Sequence, residues 1–195
     1  ASVGASNRRV EALVGKDALR QLTAERAIVA ELSAALKTPR DQLTERIAEL
    51  NANLKAAEKK IASFEAAALQ DRVPALATTA SRLGSRSVVA ENVGTVASPD
   101  DLRQLAIGVR DRLGSDASIV VLGGEVAGRP VVIVATNDAA RSTGAKAGVL
   151  AKIAAGVLGG GGGGRDDIAQ GGGADAAALP AALSAVRAEI EATRA

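Results

Sequence analysis

Residues 139–165 carry Arg141, Lys146, Lys152 and Arg165 with no acid among them, and six consecutive glycines precede Arg165. Glycine lacks a Cβ and tolerates positive φ, so a glycine-rich backbone can come close to a polyanion and turn its N–H groups toward it. The whole stretch from Gly159 to Gly173 reads GGGGGGRDDIAQGGG, nine glycines in fifteen positions. Flexible linkers of this kind usually contain Ser. Here the glycines bracket an insert, Arg165 to Gln170, that holds a base, two acids, a β-branched residue and an amide. That composition points to a structured loop that makes contacts. Backbone amides, a helix N-terminus and four local bases together suit phosphate binding.

Other chemistry is excluded by residue type. The chain has no His and no Cys, which removes zinc sites of those ligands, His acid–base catalysis, Ser-His and Cys-His nucleophiles, and disulfides. Ser142-Thr143-Gly144-Ala145-Lys146 ends like a phosphate loop, but Ala139 and Ala147 stand where that motif needs a glycine and a hydroxyl. A dinucleotide loop follows a strand and opens a helix, whereas this one follows a helix. Asp166 and Asp167 lack a third ligand for a metal. No catalytic and no metal-ligating residue is therefore expected. The single aromatic is Phe64, so unpaired bases have little to stack on, and a folded RNA read by shape and backbone is the better target.

The elements that must position these residues fall into two parts. Apolar residues make up 47% of the 195 and are nearly all aliphatic, and the net charge of +2 is evenly spread. No apolar run is long enough for a membrane span, and no signal peptide is seen; the opening Ala-Ser-Val-Gly reads as cut from something longer. A first helix starts near Ser6 or Asn7, with Leu22, Val29, Leu32 and Leu36 on one stripe. Thr38 is expected to cap a second helix, with Pro39 at its first position and Asp41 completing the capping box. From there Leu43, Ile47, Leu50, Leu54, Ala57, Ile61, Phe64 and Ala68 alternate spacings of four and three, a coiled-coil seam. So short a turn predicts a long antiparallel helical hairpin.

Beyond a short helix ending near Gly84, the pattern predicts a compact α+β domain. Its elements are a strand over Ser87–Val93, a helix from Ser98 to Leu113 stopped by Gly114, and a hairpin of Ser118–Leu122 with Pro130–Thr136. A helix over Ser142–Leu158 follows, with Val149, Leu150, Ile153 and Val157 on one face and Lys146 on the same stripe. The glycine stretch with one short strand comes next, and a helix from Asp175 to Thr193 ends the chain.

These residues carry a resemblance. GGGGGGRDDIAQGGG is very similar to GGGGGGRPDMAQGGG, the signature of the C-terminal domain of alanyl-tRNA synthetases, of which related phosphoesterases share a weaker form. Gly144-Ala145-Lys146 with Lys152 resembles that family's AGK helix, and Asn7-Arg8-Arg9-Val10-Glu11-Ala12-Leu13-Val14-Gly15 resembles the end of its editing domain. The resemblance implies a division into residues 1–15, the tail of the editing domain; 16–84, the hairpin and connecting helix; and 85–195, a globular tRNA-binding domain. It implies RNA contacts from Arg141, Lys146, Lys152, Gly159, Gly160, Gly161, Gly162, Gly163, Gly164, Arg165 and Gln170. The implied partners are tRNA(Ala), gripped at its outer corner, and the catalytic and editing parts of the same chain. ATP, Mg and Zn belong to those upstream parts, with no cofactor in these residues, and the setting is cytoplasmic. An assembly module that forms homodimers with little RNA affinity is the alternative. Asp166 stands where the family has Pro, which loosens the turn and adds a negative charge beside Arg165; Ile168 replaces Met.

Overall fold

A computed structural model describes residues 15–193. The expected start of the first helix and most of the segment resembling an editing domain lie outside the described residues. Contacts divide the chain into two compact units, Ala1–Lys59 and Lys60–Ala195. Helix α1 (Gly15–Leu36), in the first, and helix α2 (Leu43–Gln70), which begins in the first and continues into the second, flank a short turn, giving the helical hairpin. The turn is made by Lys37 at φ 50° and by a 3-10 turn over Arg40–Gln42 behind Pro39. Thr38 does not cap that turn. Its hydroxyl donates instead to the Leu36 carbonyl, satisfying one of the acceptors orphaned at the end of α1. The heptad stripe stays in solvent: α1 buries no residue, α2 buries only Leu43, and Leu54, Ile61 and Phe64 are more than half exposed. Periodicity establishes that a helix has an apolar face, but it does not say what covers that face.

In the second unit two valine-rich runs, too β-branched to favour helix, form the centre of a six-stranded sheet. They are β3 (Ser118–Val126) and β4 (Arg129–Thr136), an antiparallel hairpin. Strand β2 (Arg86–Thr95) pairs parallel with β3, and the crossover between them is helix α4 (Pro99–Arg112). Ser98 caps α4 by accepting from the Asp101 N–H, and Gly114 ends the turn at φ 84°, both as the sequence predicts. The edge beyond β2 is β1 (Ser81–Leu83), where a continuation of helix was expected; helix α3 (Val73–Thr78) ends before it. The opposite edge is β6 (Ile168–Gly172) and outermost β5 (Gly162–Gly164). The glycine stretch is therefore a two-stranded hairpin rather than a loop with one strand.

Alternate residues leave the sheet on opposite faces. Val88, Ile119, Val121, Val132 and Val134 pack with helices α6 (Ala147–Val157) and α7 (Leu179–Ala192). Val89, Val120, Leu122 and Ile133 pack with α4 through Leu102, Leu105 and Val109. Each fully buried side chain of this kind contributes about 1.5–3 kcal/mol, so the core is aliphatic and Phe64 lies outside it. Among the described residues no helix is long and apolar enough to cross a membrane.

The helix expected over Ser142–Leu158 is broken. Helix α5 (Asp138–Ser142) stops, Gly144 takes φ 87°, and α6 begins at Ala147. Arg86, 5% exposed, holds the break: its Nε donates to Thr143 Oγ1 at 2.9 Å and its Nη2 to the Thr143 carbonyl. A buried guanidinium needs such acceptors. Lys146 consequently sits at the N-cap of α6 with extended backbone, not on the apolar stripe.

Helix α6 lies directly on the glycine hairpin. A Cβ at Gly162 would come 2.7 Å from the Ala151 carbonyl oxygen, and one at Gly171 2.6 Å from the same atom; Gly160 and Gly173 would strike backbone as well. At Gly161 and Gly163 a Cβ meets nothing within 4 Å. Gly162→Ala and Gly171→Ala should each lower unfolding stability by about 2 kcal/mol or more, while Gly163→Ala should stay within about 0.5 kcal/mol of wild type. Urea unfolding measures this, and equal losses at all three positions would contradict the packing.

Candidate nucleic-acid interface

The β5–β6 turn, Arg165-Asp166-Asp167, is stitched to two neighbouring elements. The Thr136 N–H at the end of β4 donates to the Asp167 carbonyl at 2.9 Å, and the Thr136 hydroxyl donates to the Asp166 carbonyl at 2.7 Å. The same Asp166 oxygen accepts from the Ala147 N–H in the first turn of α6 at 3.1 Å. These bonds draw three of the four expected cations together. Lys146 Nζ lies 3.5 Å from Asp166 Oδ2. Arg165 forks onto Asp167, Nε to Oδ1 at 3.0 Å and Nη2 to Oδ2 at 2.9 Å. Arg141 donates to the Thr136 carbonyl at 3.0 Å and pairs with Asp138.

The remaining expected residues lie elsewhere. Lys152 is exposed on α6. Gln170 is on the face of α4, where its Oε1 accepts from Arg103 Nη2 at 2.9 Å. Gly159, at φ 70°, and Gly160 close the end of α6, and the Gly160 N–H is taken by the Ala155 carbonyl at 2.9 Å. The backbone donors of the glycine run are therefore partly engaged within the domain. Arg103 and Arg110 were missed by reading the glycine region alone. Arg110 lines an open cavity of about 540 Å³ together with Thr136, Arg141 and Asp167. The signal for both was in the sequence: two arginines seven residues apart on a helix with a clear apolar face must share an edge of it.

The cluster is suited to holding anions. Lys146 and Arg165 are well exposed, and ion pairs at such sites are weak enough to exchange for a phosphate. A guanidinium has five N–H donors in a fork that fits phosphate as well as carboxylate. Among the described residues no group of three or more His, Cys, Asp or Glu could hold a metal ion. Asp167 titrates below the ordinary aspartate value: burial pushes its carboxyl up, but the hydrogen bond and charge of Arg165 and the backbone N–H groups of Asp167 and Ile168 outweigh it.

Residues 85–192 match the family model of the DHHA1 domain. The alanine–tRNA ligase of Leifsonia xyli subsp. xyli is 61% identical over 189 residues, which are 97% of this chain and 21% of that protein. That of Clavibacter sepedonicus is 57% identical over 97% of this chain and 22% of its own length. The chain thus spans about a fifth of the length of these relatives. Among solved structures, the C-Ala domain of Aquifex aeolicus alanyl-tRNA synthetase superposes with a TM-score of 0.51 at 25% identity, covering 57% of this chain and 97% of that one.

Because Asp167 has a lower pKa folded than unfolded, its contribution to stability is complete above the unfolded value and is lost as pH falls through the folded one. Arg165→Ala removes the lowering partner. The Asp167 carboxyl should then titrate at higher pH in an NMR titration, and the stability lost on acidification should be smaller. An unmoved Asp167 titration would show that Arg165 does not hold the carboxylate.

Proposed function

The chain belongs to the DHHA1 domain family and is similar to the C-terminal region of alanyl-tRNA synthetases, and on that footing we propose that it binds tRNA(Ala). In this reading it presents the tRNA to aminoacylation and editing sites on other parts of a longer alanine–tRNA ligase in the cytoplasm. The observation that supports it is the convergence of Arg141, Lys146 and Arg165 on the turn of the glycine hairpin. The outer corner of the tRNA is the part it grips, with Lys152, Gln170 and the backbone of the glycine run flanking the cluster. The role is positional: a held tRNA brings its acceptor end within reach of sites elsewhere.

Three or four phosphate contacts give log affinity a slope of about −2 to −4 against log salt. In filter binding at low salt, Lys146→Ala combined with Arg165→Ala should weaken tRNA(Ala) at least tenfold, and a minihelix without the D and T loops should bind less well than the whole tRNA. Absence of binding by the wild-type chain at low salt overturns the reading. The chain by itself should neither charge tRNA with alanine from ATP nor deacylate seryl-tRNA above the buffer rate. ATP, Mg and Zn act in the other parts of the ligase, and catalysis by this chain alone would place active residues here after all.

A second reading, self-assembly, is favoured by the exposed stripe Leu50, Leu54, Ile61 and Phe64 on α2. On the terminal helix Leu179, Leu183, Val186 and Ile190 of α7 are buried against the sheet and are not available for such a contact. Sedimentation equilibrium decides: a dimer dissociated by Leu50→Asp supports assembly, and a monomer across the micromolar range removes it.

A further inference from the structure

The sheet gives the domain two faces, and the cations of the β5–β6 turn stand at the end of both. On one face lies α6 with Lys152. On the other, α4 lies over β3 and β4 with Arg103 and Arg110 two helical turns apart, about 10 Å along its axis. Arg103 bonds Gln170 at 2.9 Å, and Arg110 lines the cavity shared with Arg141 and Asp167. Gln170 is opposite Ile133, whose side chain packs under α4, and Gly163 is opposite Gln170 on the outer strand.

Strand alternation puts Gly162 beneath α6, so Gly161 and Gly163 face the α4 side. Neither has positive φ, and a Cβ at either meets nothing within 4 Å. Packing and backbone conformation therefore make no demand for glycine at these two positions. Glycine weakens a strand, and where the fold does not require it, it marks a site that another backbone approaches closely.

The geometry points to the α4 face as the path of the bound RNA strand: phosphates lie on Arg110 and Arg103, and the sugar–phosphate backbone crosses Gly163 and Gly161. This inference rests on the tRNA-binding reading and specifies which face holds the tRNA. The carboxylates now engaging the two arginines are exposed, Asp100 at 3.0 Å from Arg103 and Asp111 at 2.7 Å from Arg110. Pairs of that kind hold a guanidinium outstretched yet release it to a phosphate. Gln170 has its oxygen occupied by Arg103, which leaves its amide N–H groups for a ribose hydroxyl or a phosphate oxygen. The only aromatic of the chain, Phe64, is on α2, so contacts on this face are made to backbone and ribose rather than to stacked bases.

The test titrates the 195-residue chain with a tRNA(Ala) transcript across a range of salt. Arg103→Ala with Arg110→Ala should weaken binding at least tenfold and flatten the salt slope by about 1.5 to 2. Arg110→Lys, which retains stem and charge, should restore part of that slope to the Arg103→Ala background. Gly163→Val should weaken binding at least fivefold at an unchanged melting temperature, and Lys152→Ala, on the α6 face, should cost less than the arginine pair. If the wild type binds but the arginine and glycine variants bind equally well, or if Lys152→Ala costs more than they do, the assignment of this face is wrong and the tRNA-binding reading stands. If the wild type binds no tRNA, both fail. A DNA duplex bound as tightly as the tRNA, with the same losses in the variants, would overturn RNA as the occupant.

Discussion

The domain depends on how closely α6 can approach the glycine hairpin. The Ala151 carbonyl lies where the side chains of Gly162 and Gly171 would be, so the helix rests on backbone rather than on a layer of side chains. Gly148, Ala151 and Ala155 line the helix side of that contact, and small residues on both sides keep the separation short. Nothing is left to adjust: backbone cannot change rotamer, and a tightly packed interior does not yield to an added methyl. The glycines that look from sequence like freedom of conformation are for the most part the opposite, a rigid seat.

From that seat the placement of the cations follows. Because α6 is held against β5 and β6, its first turn meets the hairpin turn, and the Ala147 N–H finds the Asp166 carbonyl. Thr136 reaches the same turn from β4. Lys146, Arg141 and Arg165 are brought together by these three elements although 24 residues separate the first from the last of them in sequence. Arg86 contributes from the far side of the sheet by fixing the break before α6 at Thr143, without which Lys146 would lie along the helix stripe.

Electrostatically the surface is close to balanced. Arg103, Arg110, Arg141 and Arg165 each have a carboxylate within three residues in sequence, which explains why net charge carried no message. Exposed pairs contribute little to stability, about 0–1 kcal/mol each. Their effect is to hold long flexible cations at fixed places until a stronger anion replaces the carboxylate. A domain built this way binds through arrangement more than through bulk charge, and its affinity falls with salt as the contacts are lost.

Elements whose information is local were legible along the chain. Ser98 and Gly114 bound α4 through capping chemistry, the valine runs specify β3 and β4, and the heptad spacing specifies two helices joined by a turn. The glycine signature pointed to the family and to the region of the cations. The fold decided which glycines are seats and which are open, because that depends on the distance to the Ala151 carbonyl of α6, 11 residues from Gly162 and 20 from Gly171 along the chain. It also decided that the helix after Ser142 breaks, since the cause is Arg86, 57 residues upstream. It placed Gln170 with Arg103, across the sheet from Lys152, and left the α2 stripe uncovered. Each of these is a relation between segments distant in sequence, and periodicity and capping report only on neighbours along the chain.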